Sequence, residues 1–335
     1  MKRKLKVGVV GATGMVGQTF MTLLAEREFP IAELRPFASE NSLGKKIELQ
    51  GQQWPCQILK EGCFEGLDLV FFSSGDDISA EWAPKAVKAG AFAVDNSAAF
   101  RMDPNTVLIV PEVNGHLLNK DSKPQVIANP NCSTIQLVVA LKPLSEKFGL
   151  DEVRVSTYQA VSGAGQGGYD ELMEQTSKAT QAQHEPKTFP HTILFNCIPQ
   201  IGSFNDDGFC SEEVKIMKET RKILGLPQLK VSAFTVRIPA LNAHSESVWV
   251  TLKKDTTREA ITDALASHEG IVVQDDPKRS VYPLAREVSG KDPVYVGRIH
   301  RDPEDSKLWM MWVVSDNIRK GAALNGIQIA EQIFF

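Results

Sequence analysis

The sequence predicts an α/β protein in which an N-terminal doubly wound, Rossmann-type parallel sheet is followed by a second, α+β domain. Three observations predict it. Short apolar runs alternate with helical patterns from Leu5 to Asn129. Those runs are apolar throughout instead of alternating, as strands covered by helices on both faces must be. After about Cys132 the texture changes to a helix candidate and then to longer alternating strands between polar loops. The 335 residues also exceed one comfortable core, since domains usually hold about 100 to 200 residues.

The strand candidates of the first domain are 5–10, 34–38, 67–73, 91–95, 107–110 and 126–128, the rhythm of βαβ units. In the second half, 231–238 and 247–252 read as strands. Helical spacing follows Cys132 in Ile135, Val138, Val139 and Leu144, with a kink expected at Pro143. A helix is expected from Tyr169, and another carries Val214, Met217 and Leu224. Leu324, Ile327 and Ile333 fall at near-helical spacing in a closing helix within 318–335, expected to pack back on the first domain. The expected division is therefore 1–131, with that closing helix, and 132–317.

A formal net charge of -4 offers no basic surface to attract nucleic acid. No run of about 20 uncharged apolar residues is long enough to cross a bilayer, and the apolar start is cut at once by Gly8, Gly11, Gly14 and Gly17, which opposes a signal peptide. Five scattered cysteines suit neither a disulfide framework nor a zinc site. A cytoplasmic enzyme without a metal is the expectation.

The turn Gly11-Ala12-Thr13-Gly14-Met15-Val16-Gly17 stands between the first strand and the helix pattern Phe20, Leu23, Leu24. A pyrophosphate needs backbone N–H groups with no side chains in the way and a helix dipole behind them. Both are offered here, although the spacing is G-x-x-G-x-x-G and a ligand-free β–α turn is the plainer alternative. Asn129-Pro130-Asn131-Cys132-Ser133-Thr134 ends a strand and starts a helix. A free cysteine with a pKa of about 8.5 is only a few per cent thiolate at neutral pH, and a helix N-terminus favours the anion. Cys132 is accordingly the candidate nucleophile, while Cys56, Cys63, Cys197 and Cys210 read as small buried hydrophobes.

A thiolate needs an acid/base partner. Among the six histidines, His244 follows the strand of Arg237 across a six-residue loop, a usual place for catalytic groups. Arg237 suits a bidentate grip on a carboxylate, and a surface ion pair is its bland reading. Ser162-Gly163-Ala164-Gly165-Gln166-Gly167-Gly168 is either a close-approach loop for a cofactor or a mobile surface loop. Glu212 and Lys215 lie three apart on one helix face, where a solvated pair is the default. Arg101 is otherwise an unremarkable surface cation.

Together these residues resemble the aspartate-semialdehyde dehydrogenase family over nearly the whole chain. The most specific pieces are 129–134, 158–165, Arg237 to His244 in order, and Asp316-Asn317-Ile318-Arg319-Lys320-Gly321-Ala322-Ala323. The resemblance implies a reversible, NADP-dependent reductive dephosphorylation of L-aspartyl 4-phosphate to L-aspartate 4-semialdehyde, within amino-acid biosynthesis. It implies that Cys132 attacks the acyl phosphate to form a thioester, that His244 exchanges the proton of the tetrahedral species, and that Gln159 orients the substrate. Arg237 then holds the substrate α-carboxylate and Glu212, with Glu213 as the competing choice, its amino group. Lys215, Arg101 and Asn131 bind the phosphate lost or gained.

Cofactor contacts carried over are Gly11, Thr13, Gly14, Met15, Val16, Asn41, Ser42, Ser162, Gly163 and Asn317, and a homodimer through the second domain is implied as well. One position departs from the pattern. Many NADP-using relatives place Arg before Ser after the second strand, whereas this chain has Ser39-Glu40-Asn41-Ser42. An acidic residue there suits the ribose 2′-hydroxyl of NAD, so NAD or dual use is the alternative to NADP. The rival families are N-acetyl-γ-glutamyl-phosphate reductase, more distantly glyceraldehyde 3-phosphate dehydrogenase, and a non-catalytic nucleotide-binding relative.

Overall fold

Leu5, Val7 and Val9 point to one side of the first strand and pack with Phe71, Phe20 and Leu24, as the two-residue period of a strand requires. Val10, Val70 and Phe72 face the other way, against Ala83 and Ala86. A strand apolar on both faces is thereby covered on both, which is the condition for a parallel sheet. The computed structural model describes residues 3–180 and 185–335. His184, one of the histidines weighed above, lies outside the described residues.

Contact clustering divides the chain into two compact units, 1–131 with 322–335 and 132–321. The first unit runs β1 (Leu5–Val10), α1 (Met15–Glu26), β2 (Ile31–Phe37), β3 (Lys46–Leu49), β4 (Gln52–Pro55), β5 (Leu69–Phe72), α2 (Asp76–Lys88), β6 (Phe92–Asp95), β7 (Val107–Leu108), α3 (Pro111–Asn114) and β8 (Val126–Ala128). Its main sheet has the order β2-β1-β5-β6-β8-β7, with each pairing parallel. Strand order reverses between β1 and β5, and in such sheets the crevice outside the carboxyl ends of the strands at that point is the ligand site. The β3/β4 hairpin was not foreseen. Its four-residue strands carry charged and polar residues on half of their positions and lack the apolar run that marks the main sheet.

The second unit runs α4 (Cys132–Phe148), β9 (Leu150–Gln159), α5 (Gly165–Ser177), α6 (Ser211–Leu224), β10 (Lys230–Arg237), β11 (His244–Leu252), α7 (Arg258–Ala266), β12 (Ile271–Val273), α8 (Ala285–Val288), β13 (Val294–Arg301) and β14 (Leu308–Ser315). These strands form a mixed sheet of order β10-β9-β11-β14-β13-β12. Helices α4, α6 and α7 pack on it. On α6 the buried face is Glu212, Glu213, Ile216, Glu219, Thr220 and Ile223, while the expected stripe of Val214, Met217 and Leu224 is only half-buried.

The chain closes with α9 (Leu324–Phe334), preceded by a π-helical turn at Arg319–Ala323. Leu324, Ile327 and Ile333 join the β1/α1 core of the first unit. Phe20 of that core stacks on Phe71 at 4.6 Å, and burying such a ring stabilises by about 1.5 to 3 kcal/mol. No helix among the described residues is long and apolar enough to cross a membrane.

Candidate active site

Cys132 is the first residue of α4 and is only partly buried. The thiol therefore stands at the positive dipole end of the helix, which favours negative charge there. Gly321 closes in on it so tightly that a Cβ at 321 would lie 2.8 Å from the Cys132 Cβ. Any larger residue at 321 would displace the nucleophile. That requirement for glycine was not legible from the motif alone.

Three further groups come from one row of the mixed sheet. In the register that pairs Arg237 of β10 with Gln159 of β9, and Ser245 of β11 with Tyr158, the side chains of Arg237, Gln159 and His244 share one face at the strand ends. All three are buried, at 5%, 1% and 0% exposure. The Arg237 guanidinium donates through Nη1 to the Ala160 carbonyl at 2.6 Å. Burial lowers its pKa, while the charges of Glu212 and Cys132 act on it in the opposite sense. One cation thus feels both the candidate nucleophile and a buried carboxylate.

Glu212 accepts from Gln159 Nε2 at 3.2 Å, and its second oxygen lies 3.5 Å from Lys215 Nζ. The two neighbouring glutamates have different hydrogen-bond partners at the start of α6. Glu213 accepts from the backbone N–H groups of Cys210 and Thr235 at 2.9 and 3.0 Å, the N3 side of a capping box. Its carboxylate holds the helix start, and Glu212 is the one that meets Gln159. Thr157, one step down β9, donates to Gln159 Oε1 at 3.0 Å and orients that amide. Thr157 was not anticipated, because a threonine inside a strand carries no sequence signal of such a role.

His244 is wholly buried, and its Nδ1 accepts from the Ala160 N–H at 3.0 Å. An amide can only donate, so the neutral ring carries its proton on Nε2. Nε2 has no hydrogen-bond partner among the described residues. Burial first, then the Arg237 charge, hold the imidazole pKa well below its ordinary value. Ala243, just before it, has φ 66°, an unusual conformation for a residue with a Cβ, and its N–H donates to Asn317 Oδ1 at 3.0 Å.

Asn317 also shares hydrogen bonds with the Ser162 hydroxyl, and Ser162 reaches Asn242 Oδ1 at 3.0 Å. A Cβ at Gly163 would come within 2.8 Å of Arg237 Nη1 and 3.1 Å of His244 Nε2. The second glycine segment is regular structure, a 3-10 turn over Val161–Ala164 that runs into α5, with Gly163, Ala164, Gln166 and Gly167 exposed. Val161 and Ser162 are buried, and helix α5 begins already at Gly165 instead of Tyr169.

In the first unit, Gly11 has φ +79°, and a Cβ there would lie 2.8 Å from the Ser73 carbonyl oxygen. Gly17 packs against the same turn, where a Cβ would come 2.2 Å from the Gly11 carbonyl oxygen. Gly14 caps α1 with its backbone alone, and no side chain bonds to the helix start. Thr13, Met15 and Val16 lie on the same turn, in which the Gly11 and Ala12 N–H groups donate to the Phe37 carbonyl and the Gly14 N–H to that of Gly11. A bound pyrophosphate fits such a cradle. Asn41 and Ser42 lie on a short 3-10 turn with Glu40, just after β2.

Two expectations are corrected. Arg101 is not a surface cation: it is 7% exposed and donates to the carbonyls of Asn129 and Asn96 at 2.9 and 2.7 Å. Asn131 is buried at the end of the same segment. Cys197 is exposed instead of buried.

Comparison with known proteins places this geometry. A family profile described as semialdehyde dehydrogenase, NAD binding domain, matches residues 6–120, and one described as semialdehyde dehydrogenase, dimerisation domain, matches residues 141–320. The chain is 47% identical to the aspartate-semialdehyde dehydrogenase of Aquifex aeolicus, covering 97% of each, and 45% identical to that of Bacillus subtilis, covering 99% of this chain and 98% of the relative. The crystal structure of Vibrio cholerae aspartate semialdehyde dehydrogenase II complexed with ASA superposes with a TM-score of 0.95 at 41% identity, over 99% of this chain and 98% of that one. With both profiles in chain order and this identity sustained over the full length, the chain belongs to the aspartate-semialdehyde dehydrogenase family.

Proposed function

We propose that this protein catalyses the reversible reductive dephosphorylation of L-aspartyl 4-phosphate to L-aspartate 4-semialdehyde and phosphate, with NADP as the redox partner and a thioester on Cys132. The observation that carries it is the buried Arg237, on whose charge both Glu212 and Cys132 act. A small substrate with a carboxylate and an ammonium group beside its reacting carbonyl needs a cation, an anion and a nucleophile in that proximity.

In this reading Cys132 sulfur bonds to the acyl carbon as the carbon–phosphate oxygen bond breaks, and phosphate departs with the electron pair. A nicotinamide held here would supply or accept the hydride at the same carbon, and the resulting tetrahedral species releases the aldehyde as its carbon–sulfur bond breaks and the electron pair returns to Cys132. Arg237 pairs with the substrate α-carboxylate, Glu212 with its ammonium, and Gln159 orients the carbonyl. His244 works through Nε2, whose N–H donates toward the oxygen that gains charge in the tetrahedral species. Lys215, Arg101 and Asn131 are assigned to the phosphate by their match to the family. Gly11, Thr13 to Val16, Asn41, Ser42, Ser162, Gly163 and Asn317 are assigned to the cofactor in the same way. An acylated amino group offers Glu212 no ammonium to pair with, which disfavours an N-acetyl-γ-glutamyl phosphate substrate. Phosphate-dependent reduction of NADP with L-aspartate 4-semialdehyde tests this reading, and a folded, cofactor-binding protein inactive in that assay overturns it.

The carboxylate of Glu40 next to the expected 2′-phosphate position opposes a dianion there. Replacing Asn41 by Arg is expected to tighten NADPH binding about tenfold, with NADH binding changed less than twofold, the gain of one charge-assisted contact. Fluorescence titration of the reduced cofactors measures both. Unchanged NADPH affinity in Asn41→Arg, or a wild type that binds NADH more tightly than NADPH, removes the NADP assignment.

A homodimer is part of the same proposal. Phe234, Arg154, Trp249, Met310 and Trp312 line the sheet face opposite the row of Arg237 and His244, and Phe234 is 56% exposed. An aromatic-rich face of this kind is the composition of a protein interface. Trp249→Glu is expected to shift a dimer to monomer in sedimentation velocity at micromolar concentration, and an unshifted dimer assigns the interface elsewhere.

A further inference from the structure

Below the row that carries Arg237, Gln159 and His244 lies a second row of buried polar side chains, Thr235, Thr157 and Glu246, in the same register and on the same face. Two of the three already serve the row above or the helix beside it. Thr157 orients Gln159, and Thr235 meets Cys210 at the start of α6, Sγ to Oγ1 3.0 Å. Glu246 has no such partner. It is 0% exposed, and neither carboxyl oxygen makes a hydrogen bond among the described residues.

A carboxyl group deprived of water and left unpaired is costly. Burial pushes its pKa well above the ordinary value, which favours the neutral acid, a form able both to donate and to accept. The neighbouring group that acts on it is the Gln136 side chain, near enough to interact with the carboxyl as a hydrogen-bonding group although its buried Nε2 falls short of full hydrogen-bond geometry. Gln136 lies four residues after Cys132 on α4, hence on the same helix face one turn below the nucleophile. Glu246 lies two residues after His244, hence on the same strand face. Helix α4 packs directly on β11.

We propose that Glu246 is a positioning residue that acts through the Gln136 amide on the first turn of α4, holding the Cys132 thiol at a set height beside His244. The inference rests on the thioester reading above. The pair joins the element that carries the nucleophile to the strand that carries the acid/base, at the same level below each. A rigid first turn matters because a misplacement of about 1 Å at a reacting centre costs on the order of a hundredfold in rate.

The test compares Glu246→Leu, Glu246→Gln and Gln136→Leu, together with the double variant, in steady-state kinetics and in the rate at which iodoacetamide alkylates Cys132. Leucine removes an uncompensated polar group and is tolerated by such sites, so a fold change is not what the assay reads; melting temperature checks this. Glu246→Leu is expected to lower kcat at least about tenfold with KM within about twofold, and to change the alkylation rate by about fivefold. Glu246→Gln, neutral and two-ended, is expected to keep kcat within about threefold. Gln136→Leu should match Glu246→Leu, and the double variant should be no worse than either. Wild-type kcat and alkylation rate in Glu246→Leu overturn the proposal, as does a Glu246→Gln loss equal to that of leucine, or strictly additive losses in the double variant. The alkylation rate needs no substrate, so it tests the pair even if the protein does not act on aspartate semialdehyde.

Discussion

Replacing Cys132 by alanine is expected to lower kcat for phosphate-dependent NADP reduction by at least about ten-thousandfold, because no other group can form the thioester. The side chain is small and only partly buried, so the fold and cofactor binding should be unchanged, as checked by circular dichroism and by fluorescence of bound NADPH. Single-turnover measurements sharpen the result. The wild type should release phosphate from the acyl phosphate before the reduced cofactor is consumed, and the alanine variant should release none above background. Activity within tenfold of wild type in Cys132→Ala would show that hydride transfer proceeds without a covalent intermediate, and the mechanism would have to be abandoned.

His244→Asn carries the second-largest expected effect. Asparagine can place Oδ1 where Nδ1 accepts from the Ala160 N–H, at 3.0 Å in the native protein, and so keeps that bond while deleting Nε2. We expect kcat to fall by about a hundred- to a thousandfold with KM for aspartate semialdehyde within about threefold, the signature of a group used in the transition state. The same variant has a stability signature. Burial and Arg237 depress the folded-state pKa of His244 below the value of the unfolded chain. As pH falls below about 6.5, the unfolded chain takes up a proton that the folded chain refuses, and stability declines toward the folded pKa. His244→Asn lacks this term, so its melting temperature should fall less between pH 7.5 and about pH 5.5. An equal or steeper decline would mean that the imidazole is not held neutral.

Much of the fold was legible because parallel strands and amphipathic helices write their burial into composition. The runs at 5–10, 91–95 and 126–128 coincide with β1, β6 and β8 to within a residue. The β3/β4 hairpin and the true buried face of α6 were not legible. In α6 the face that packs inward includes Glu212, Glu213 and Glu219, carboxylates that a hydropathy pattern assigns to solvent. Glu212 and Glu213 are buried because tertiary partners receive them, and those partners come from β9, β10 and the segment before α6. Arg101 was misread for the same reason, since the carbonyls of Asn96 and Asn129 that hold it are brought together by folding.

From its sequence alone this protein discloses a strand–turn–helix cradle at Gly11 to Gly17, a cysteine at a helix start, and the family resemblance that orders Gln159, Glu212, Arg237 and His244 behind it. Local spacing suffices for these, because strand, turn and cap chemistry act over a few residues. Sheet register decided the rest. It placed Arg237, Gln159 and His244 in one row, turned the His244 proton onto Nε2 through the Ala160 amide, gave Glu212 and Glu213 different hydrogen-bond partners, and set Glu246 below the site. Such pairings join residues that lie tens of positions apart in the chain, and a one-residue slip would turn each of them to the opposite face.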